Sequence, residues 1–223
     1  MDFIFMLTRQ DQTVTDCLEV FEEIRPLGLR HIGFKDLGVD GATLRRLART
    51  IKESGALSYL EVVSTSREAA LASARAAVEV GVDRLMGGTD VGEIMKIVGR
   101  TGTAYYPFPG KPVGHPTKLC GTAQLIEEHC RRYLAMGCAG VDLLAYRATE
   151  AEPIELVRAA RRGLGREGYL ICAGSVDSPE RIHSLKQAGC DAFTIGSAAF
   201  DGSFSVRKGR LASQLQDIVA AAA

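Results

Sequence analysis

Leu170-Ile171-Cys172-Ala173-Gly174-Ser175 and, one helix later, Phe193-Thr194-Ile195-Gly196-Ser197-Ala198-Ala199-Phe200 are the two stretches that decide how this chain folds. Each is an apolar, strand-like run that stops abruptly at Gly-Ser. A glycine at that point lets backbone approach a ligand closely, and N–H groups at a loop or helix start can cradle an anion. Two such ends on neighbouring parallel strands predict an anion site near the C-terminus of the chain.

The same punctuation recurs upstream. A helix-like stretch closes at a glycine and an apolar run follows: Gly28 before 29–34, Gly55 before 57–63, Gly81 before 82–86 and Gly102 before 103–108. Gly137 before 141–146, Gly168 before 169–172 and Gly189 before 192–195 continue the series. Glycine suits the residue after a helix because it accepts the left-handed conformation there. With 3–7 as the first, the strands number eight. Their nearly continuous apolar character suits parallel strands covered by helices.

Between them, the segments 14–24, 42–51, 68–80, 92–98, 122–136, 153–164, 179–188 and 211–221 carry helical periodicity. Ser178-Pro179-Glu180 has the cap and first-turn proline of a helix start. The alternation predicts an α/β protein: a single (β/α)8 TIM barrel over 1–223, with phosphate-binding loops after strands seven and eight. Gly87-Gly88-Thr89 echoes the C-terminal Gly-Ser loop, and 62–68 echoes 172–180. Either the barrel is a half-barrel duplication with a second anion site, or any two strand–helix units look alike at this level.

Composition narrows the partners. The 223 residues include 27 basic and 27 acidic side chains, so no net charge draws nucleic acid or an anionic membrane. The N-terminal apolar stretch is too short for a signal peptide or membrane span. Six cysteines are scattered without a CxxC pair, which reads as small buried hydrophobes in a reducing, cytoplasmic compartment.

The run from Ala173-Gly174-Ser175-Val176-Asp177-Ser178-Pro179-Glu180 through Gly189-Cys190-Asp191-Ala192-Phe193-Thr194-Ile195-Gly196-Ser197 resembles the end of ribulose-phosphate-binding-type barrels. That group includes the histidine-biosynthesis isomerase and cyclase barrels, phosphosugar epimerases and related aldolases. The resemblance covers about the last quarter of the chain. It implies that Gly174, Ser175, Gly196 and Ser197 bind a substrate phosphate through backbone N–H groups and a serine. The catalytic signatures of those families are not carried over. Leu7-Thr8-Arg9 stands where the histidine-pathway isomerase has an aspartate, and the Asp-His and Asp-x-Lys-x-x-Asp patterns are absent. The subfamily is unassigned.

Reactive groups of such a barrel project from the C-terminal strand ends. A charge inside an apolar strand is therefore a candidate, because unpaired it would be costly. Lys35 closes the second strand, where a dry setting can lower a lysine pKa and make it a base or Schiff-base nucleophile. It could equally pair with Glu61, whose alternation with Tyr59 and Val63 points inward. Asp142 interrupts the sixth strand, roughly opposite Lys35 in the ring, so acid and base would face each other across a bound sugar. Arg147 follows at the rim, either to clamp a carboxylate or second phosphate or as a merely solvated side chain.

The long fifth connection carries four prolines, Tyr105, Tyr106 and Phe108, with Lys111 and His115 as candidate ligand contacts under a lid. A surface or oligomer contact is the alternative for that loop. His31 reads as a satisfied core histidine, and His129 and His183 have no assigned role. No GxGxxG or P-loop pattern indicates a nucleotide cofactor, and no metal-ligand cluster is visible.

The expectation is an enzyme acting on a small phosphorylated sugar or sugar acid, an isomerase or epimerase using proton transfer and no cofactor. The alternatives are a lyase forming an imine at Lys35 and a non-catalytic phosphometabolite-binding protein.

Overall fold

The computed structural model describes residues 1–62, 66–114 and 116–223. Val63, the Ser64-Thr65 part of the half-barrel echo and His115 lie outside the described residues. Eight parallel strands form the sheet. They are β1 (Asp2–Met6), β2 (His31–Lys35), β3 (Leu57–Val62), β4 (Arg84–Gly87), β5 (Ala104–Tyr106), β6 (Gly140–Leu143), β7 (Tyr169–Cys172) and β8 (Ala192–Ile195).

Their ladder order is β6-β7-β8-β1-β2-β3-β4-β5. The ring closes between β5 and β6 through two backbone bonds, Ala139 N–H to Tyr105 O and Asp142 N–H to Pro107 O, each 3.0 Å. Both are donated from the β6 side. Pro107 has no N–H to return one, which leaves this seam thinner than the other seven.

Helices α1 (Cys17–Ile24), α2 (Gly41–Glu53), α3 (Arg67–Val80), α4 (Val91–Val98), α5 (Ala123–Ala135), α6 (Pro153–Leu164) and α7 (Pro179–Gln187) return the chain between strands. A four-residue turn of helix, α8 (Ser197–Phe200), and α9 (Leu211–Ala222) complete the wall. Local chemistry starts and stops them. Asp40 caps α2 by accepting the Thr43 N–H at 2.7 Å, and Ser178 caps α7 ahead of Pro179. The strand ends differ slightly from the sequence reading: β6 stops at Leu143, and 145–147 coil into a 3-10 turn that swings Arg147 over the barrel mouth.

Period-two alternation sorts the side chains into two cores. Phe3, Phe5, Ile32, Phe34, Leu60, Val62, Val141 and Leu143 pack outward against the helices. Ile4, Met6, Tyr59, Met86, Tyr106 and Ile171 fill the barrel interior. Gly33 takes its place in the ring because Met6 lies over it: a Cβ there would stand 2.2 Å from the sulfur. The same alternation turns Lys35, Glu61 and Asp142 inward, as their spacing from these residues requires.

Two hairpins decorate the mouth. Thr8–Arg9 pairs with Gln12–Thr13 across a two-residue turn, Gln10-Asp11, in which both residues have positive φ. Such a turn twists with its strands, though Asn-Gly is the usual choice. The second hairpin, Lys111–Val113 with Lys118–Cys120, stands where the sequence suggested a lid or a surface loop. Tyr105, Tyr106 and Phe108, expected over a ligand or at an oligomer contact, are buried in the fold itself. Among the described residues no helix is long and apolar enough to cross a membrane.

Candidate functional site

A cavity of about 310 Å³ opens at the C-terminal mouth of the barrel. Its lining brings together Lys35, Glu61, Arg147, Gly174, Ser175, Gly196 and Ser197. These come from β2, β3, the turn after β6 and the loops after β7 and β8, so only barrel closure makes them neighbours.

Lys35 and Glu61 are register partners on adjacent strands, and Lys35 Nζ lies 3.4 Å from Glu61 Oε2. A shorter contact, 2.6 Å, joins Lys35 Nζ to Asp11 Oδ1 on the first hairpin. Arg147 Nη2 approaches the same Asp11 oxygen at 3.7 Å. Burial alone would pull the Lys35 ammonium down, but Glu61 and Asp11 outweigh it and hold the group above its ordinary value. The lowered pKa that would suit an imine-forming nucleophile is therefore not what this surrounding produces.

Asp142 is fully buried, and neither carboxyl oxygen has a hydrogen-bond partner among the described residues. It does not line the cavity surface. Burial first, and then the nearby Glu61 charge, push its pKa well up, against the smaller opposing pull of Lys35 and Arg147. Asp142 thus lies behind the cavity wall near the Lys35–Glu61 pair rather than across a ligand from it, with burial favouring its protonated form.

The two C-terminal loops form the other wall. Gly174 has φ +75°, and a Cβ there would stand 2.3 Å from Arg147 Nε, so the arginine lies directly on this glycine. Ser175 keeps φ at 58°, which L residues adopt at a cost of about 1–2 kcal/mol. Gly196 is required by close approach instead: a Cβ would meet the Thr8 carbonyl at 2.8 Å. Among the described residues, the N–H groups of Gly174, Ser175, Val176, Ser197 and Ala198 donate to no backbone or side-chain acceptor. Asp177 and Asp201 also border this wall, but each is drawn into an ion pair, Asp177 with Arg181 at 2.9 Å and Asp201 with Arg9.

Other sequence candidates fall elsewhere. Lys111 is exposed on the second hairpin and does not line the cavity; with burial and Arg132 it helps keep the His129 imidazole below its ordinary pKa. His129 accepts or shares the Gly110 N–H at 3.1 Å, a structural task for a residue given none from sequence. His31 is the core histidine expected, bonded through Nδ1 to Tyr59 OH at 2.8 Å. Gly87 and Gly88 do not line the cavity; Phe108 and Ile94 occupy the space where their side chains would be. Among the described residues no group of His, Cys, Asp and Glu converges in a way that could hold a metal ion.

Asp11 is the main residue that sequence reasoning missed. It sits in a short polar run with no Gly or Asn to announce a turn, and only the hairpin carries it to Lys35. Thr194, which lines the cavity from the inward face of β8, was legible in principle from strand alternation.

An eight-stranded parallel barrel with a polar cavity at the C-terminal mouth defines a TIM-barrel protein. No family model matches the chain, and no curated protein matches it in sequence. Solved structures do match in fold. Orotidine 5'-phosphate decarboxylase from Pyrococcus horikoshii aligns with TM-score 0.70 at 12% identity, covering 99% of this chain and 98% of that one. Thiamine phosphate pyrophosphorylase from Pyrococcus furiosus gives 0.61 at 13%, covering 98% and 94%. A cube-shaped protein cage designed by fusing symmetric oligomeric domains gives 0.68 at 13%, covering 99% and 73%.

Proposed function

We propose that the chain acts as one barrel domain and is an enzyme of small phosphorylated sugars or sugar acids, moving a proton between adjacent carbons as an isomerase or epimerase. The observation that carries this reading is the convergence, in one small cavity, of an inward Lys–Glu pair with a wall of unused backbone N–H groups. Donors of that kind suit a phosphate, held by Gly174, Ser175, Gly196 and Ser197. Two of the fold neighbours carry phosphate compounds in their names, which agrees with such a ligand. A cavity of about 310 Å³ is within the size range of small-molecule sites.

In this reading the Glu61 carboxylate takes the proton on the carbon beside a carbonyl. The C–H electrons become the C=C bond of an enediolate, and the carbonyl oxygen takes up the negative charge. The Lys35 ammonium donates to that oxygen, a task for which its raised pKa fits it. For isomerisation, Lys35 gives its proton to that oxygen and recovers one from the neighbouring hydroxyl, whose O–H electrons become the new C=O. The C=C electrons meanwhile take the proton back from Glu61 at the former carbonyl carbon, on the same face. Epimerisation instead takes a solvent proton on the opposite face of the original carbon. Burial favours the protonated form of Asp142 behind the pair, which limits the negative charge facing the enediolate. Lys35 as an imine nucleophile is the less favoured course, since Asp11 and Glu61 both stabilise its protonated form.

Incubation with ketose and aldose phosphates in D2O, read by NMR, tests the proposal. Deuterium should appear on the carbon beside the carbonyl, and Glu61→Gln should slow the exchange by about 10²–10⁴-fold. Borohydride should trap no adduct on Lys35. Binding of phosphosugars without exchange or turnover would replace the enzyme reading with that of a phosphometabolite-binding protein.

A further inference from the structure

A second cavity, about 380 Å³ and more open, shares the Arg147 and Ser175 walls of the first. Its other polar groups are Thr117, Lys118, Tyr146 and Thr149. The two chambers differ in charge. The inner one is bordered by Lys35 and Arg147 but also by Asp11, Glu61, Asp177 and Asp201. Among the described residues, the outer one has two cations and no carboxylate in its lining.

The outer wall is built rather than draped. Leu119 bridges to Ala148, and the Thr149 N–H donates to the Leu119 carbonyl at 3.0 Å. Gly121 N–H donates to Glu150 Oε2 at 2.8 Å, so the second hairpin is stapled to the turn that carries Arg147. Behind Tyr146 the Arg181 guanidinium, paired with Asp177, stacks at 4.7 Å from the ring centroid and backs the groove wall. Arg147 itself stands between the chambers. Its Nε side lies on Gly174, and Nη1 reaches the Thr117 carbonyl at 3.4 Å.

A groove lined, among the described residues, by two cations and no carboxylate, and opening off a site for a phosphate, fits an anion. We infer that the substrate carries two anionic groups: a phosphate in the inner chamber and a carboxylate or second phosphate in the outer groove, met by Lys118 and Arg147. This rests on the phosphosugar reading above and narrows it to doubly anionic sugar derivatives.

Matched probes test it by titration calorimetry. Glucose 6-phosphate is compared with 6-phosphogluconate, which adds a carboxylate, and fructose 6-phosphate with fructose 1,6-bisphosphate, which adds a phosphate. At least one doubly anionic probe should bind about tenfold or more tightly than its singly anionic partner. Which pair shows the gap identifies the second group. In Lys118→Gln that ratio should fall toward one. In Lys111→Gln, on the same hairpin but outside both cavities, it should persist. Equal affinities within both pairs, or a ratio untouched by Lys118→Gln, would overturn the outer site and leave the phosphate reading standing. Binding of none of the four probes would overturn the phosphate reading, and this inference with it.

Discussion

Asp142 concentrates the electrostatics of the site in one side chain. Its folded pKa lies above the ordinary aspartate value near 4, and unfolding restores that value. Between the two, the folded chain holds more protons than the unfolded chain, so stability falls as pH rises. Asparagine at this position carries no such proton. The melting temperature of the wild type relative to Asp142→Asn should therefore be highest near pH 4 and decline toward pH 8. A difference that stays flat over that range would mean Asp142 is ionised in the fold. Gly174 makes a second residue-scale case. Alanine there meets both a left-handed backbone and the Arg147 side chain, so Gly174→Ala should cost about 1–2 kcal/mol in urea unfolding. It should also abolish any thermal shift given by phosphate, since Arg147 must leave its seat; a retained shift would place the anion elsewhere.

At the scale of elements, the first hairpin holds the site as much as the barrel does. Thr13 Oγ1 accepts the Lys35 N–H at 2.8 Å and donates to the Lys35 carbonyl at 2.7 Å, so one buried hydroxyl closes the open edge at the end of β2. Thr13→Val preserves shape and orphans both backbone groups. The expected loss is about 2–4 kcal/mol by chemical denaturation, with Thr13→Ser recovering most of it. If valine costs under about 0.5 kcal/mol, the hairpin is not fastened in this way. The same element joins Asp11 to Lys35 on β2, and Arg9 to Asp201 beyond β8. The hairpin that leaves β1 is thus a clamp between the ends of the two strands that flank it.

For the molecule as a whole, the thin seam between β5 and β6 has a counterpart at the opposite end of the barrel. There Arg84 lies among Tyr59, Tyr106 and Tyr169, with its guanidinium 5.2, 5.7 and 5.1 Å from their ring centroids. These rings belong to β3, β5 and β7, so one side chain links strands on both sides of the seam. Among the described residues the buried Arg84 Nη1 has no hydrogen-bond partner, so an apolar side chain of similar length should fill the cage at little cost. Arg84→Ala should cost about 3 kcal/mol by emptying the cage, whereas Arg84→Met should cost less than about 1 kcal/mol. Comparable losses for both, in guanidinium unfolding, would make the cation itself the essential part.

Strand and helix identities were legible because they are local: an apolar run between glycines, a 3.6-residue stripe and a Ser-Pro cap act within a few residues of chain. Alternation within a strand also determined that Lys35, Glu61 and Asp142 turn inward, since a pleated strand allows only two faces. What tertiary structure alone decided is which of these inward groups meet and in what charge state. The Lys35 ammonium depends on Asp11, 24 positions away and delivered by a turn without the usual turn residues. The burial of Asp142, the exposure of Lys111 and the division of the mouth into two chambers follow from closing the ring. Proximity across a barrel is set by eight strands at once, and desolvation by everything packed around a group; neither quantity is written in any single stretch of sequence.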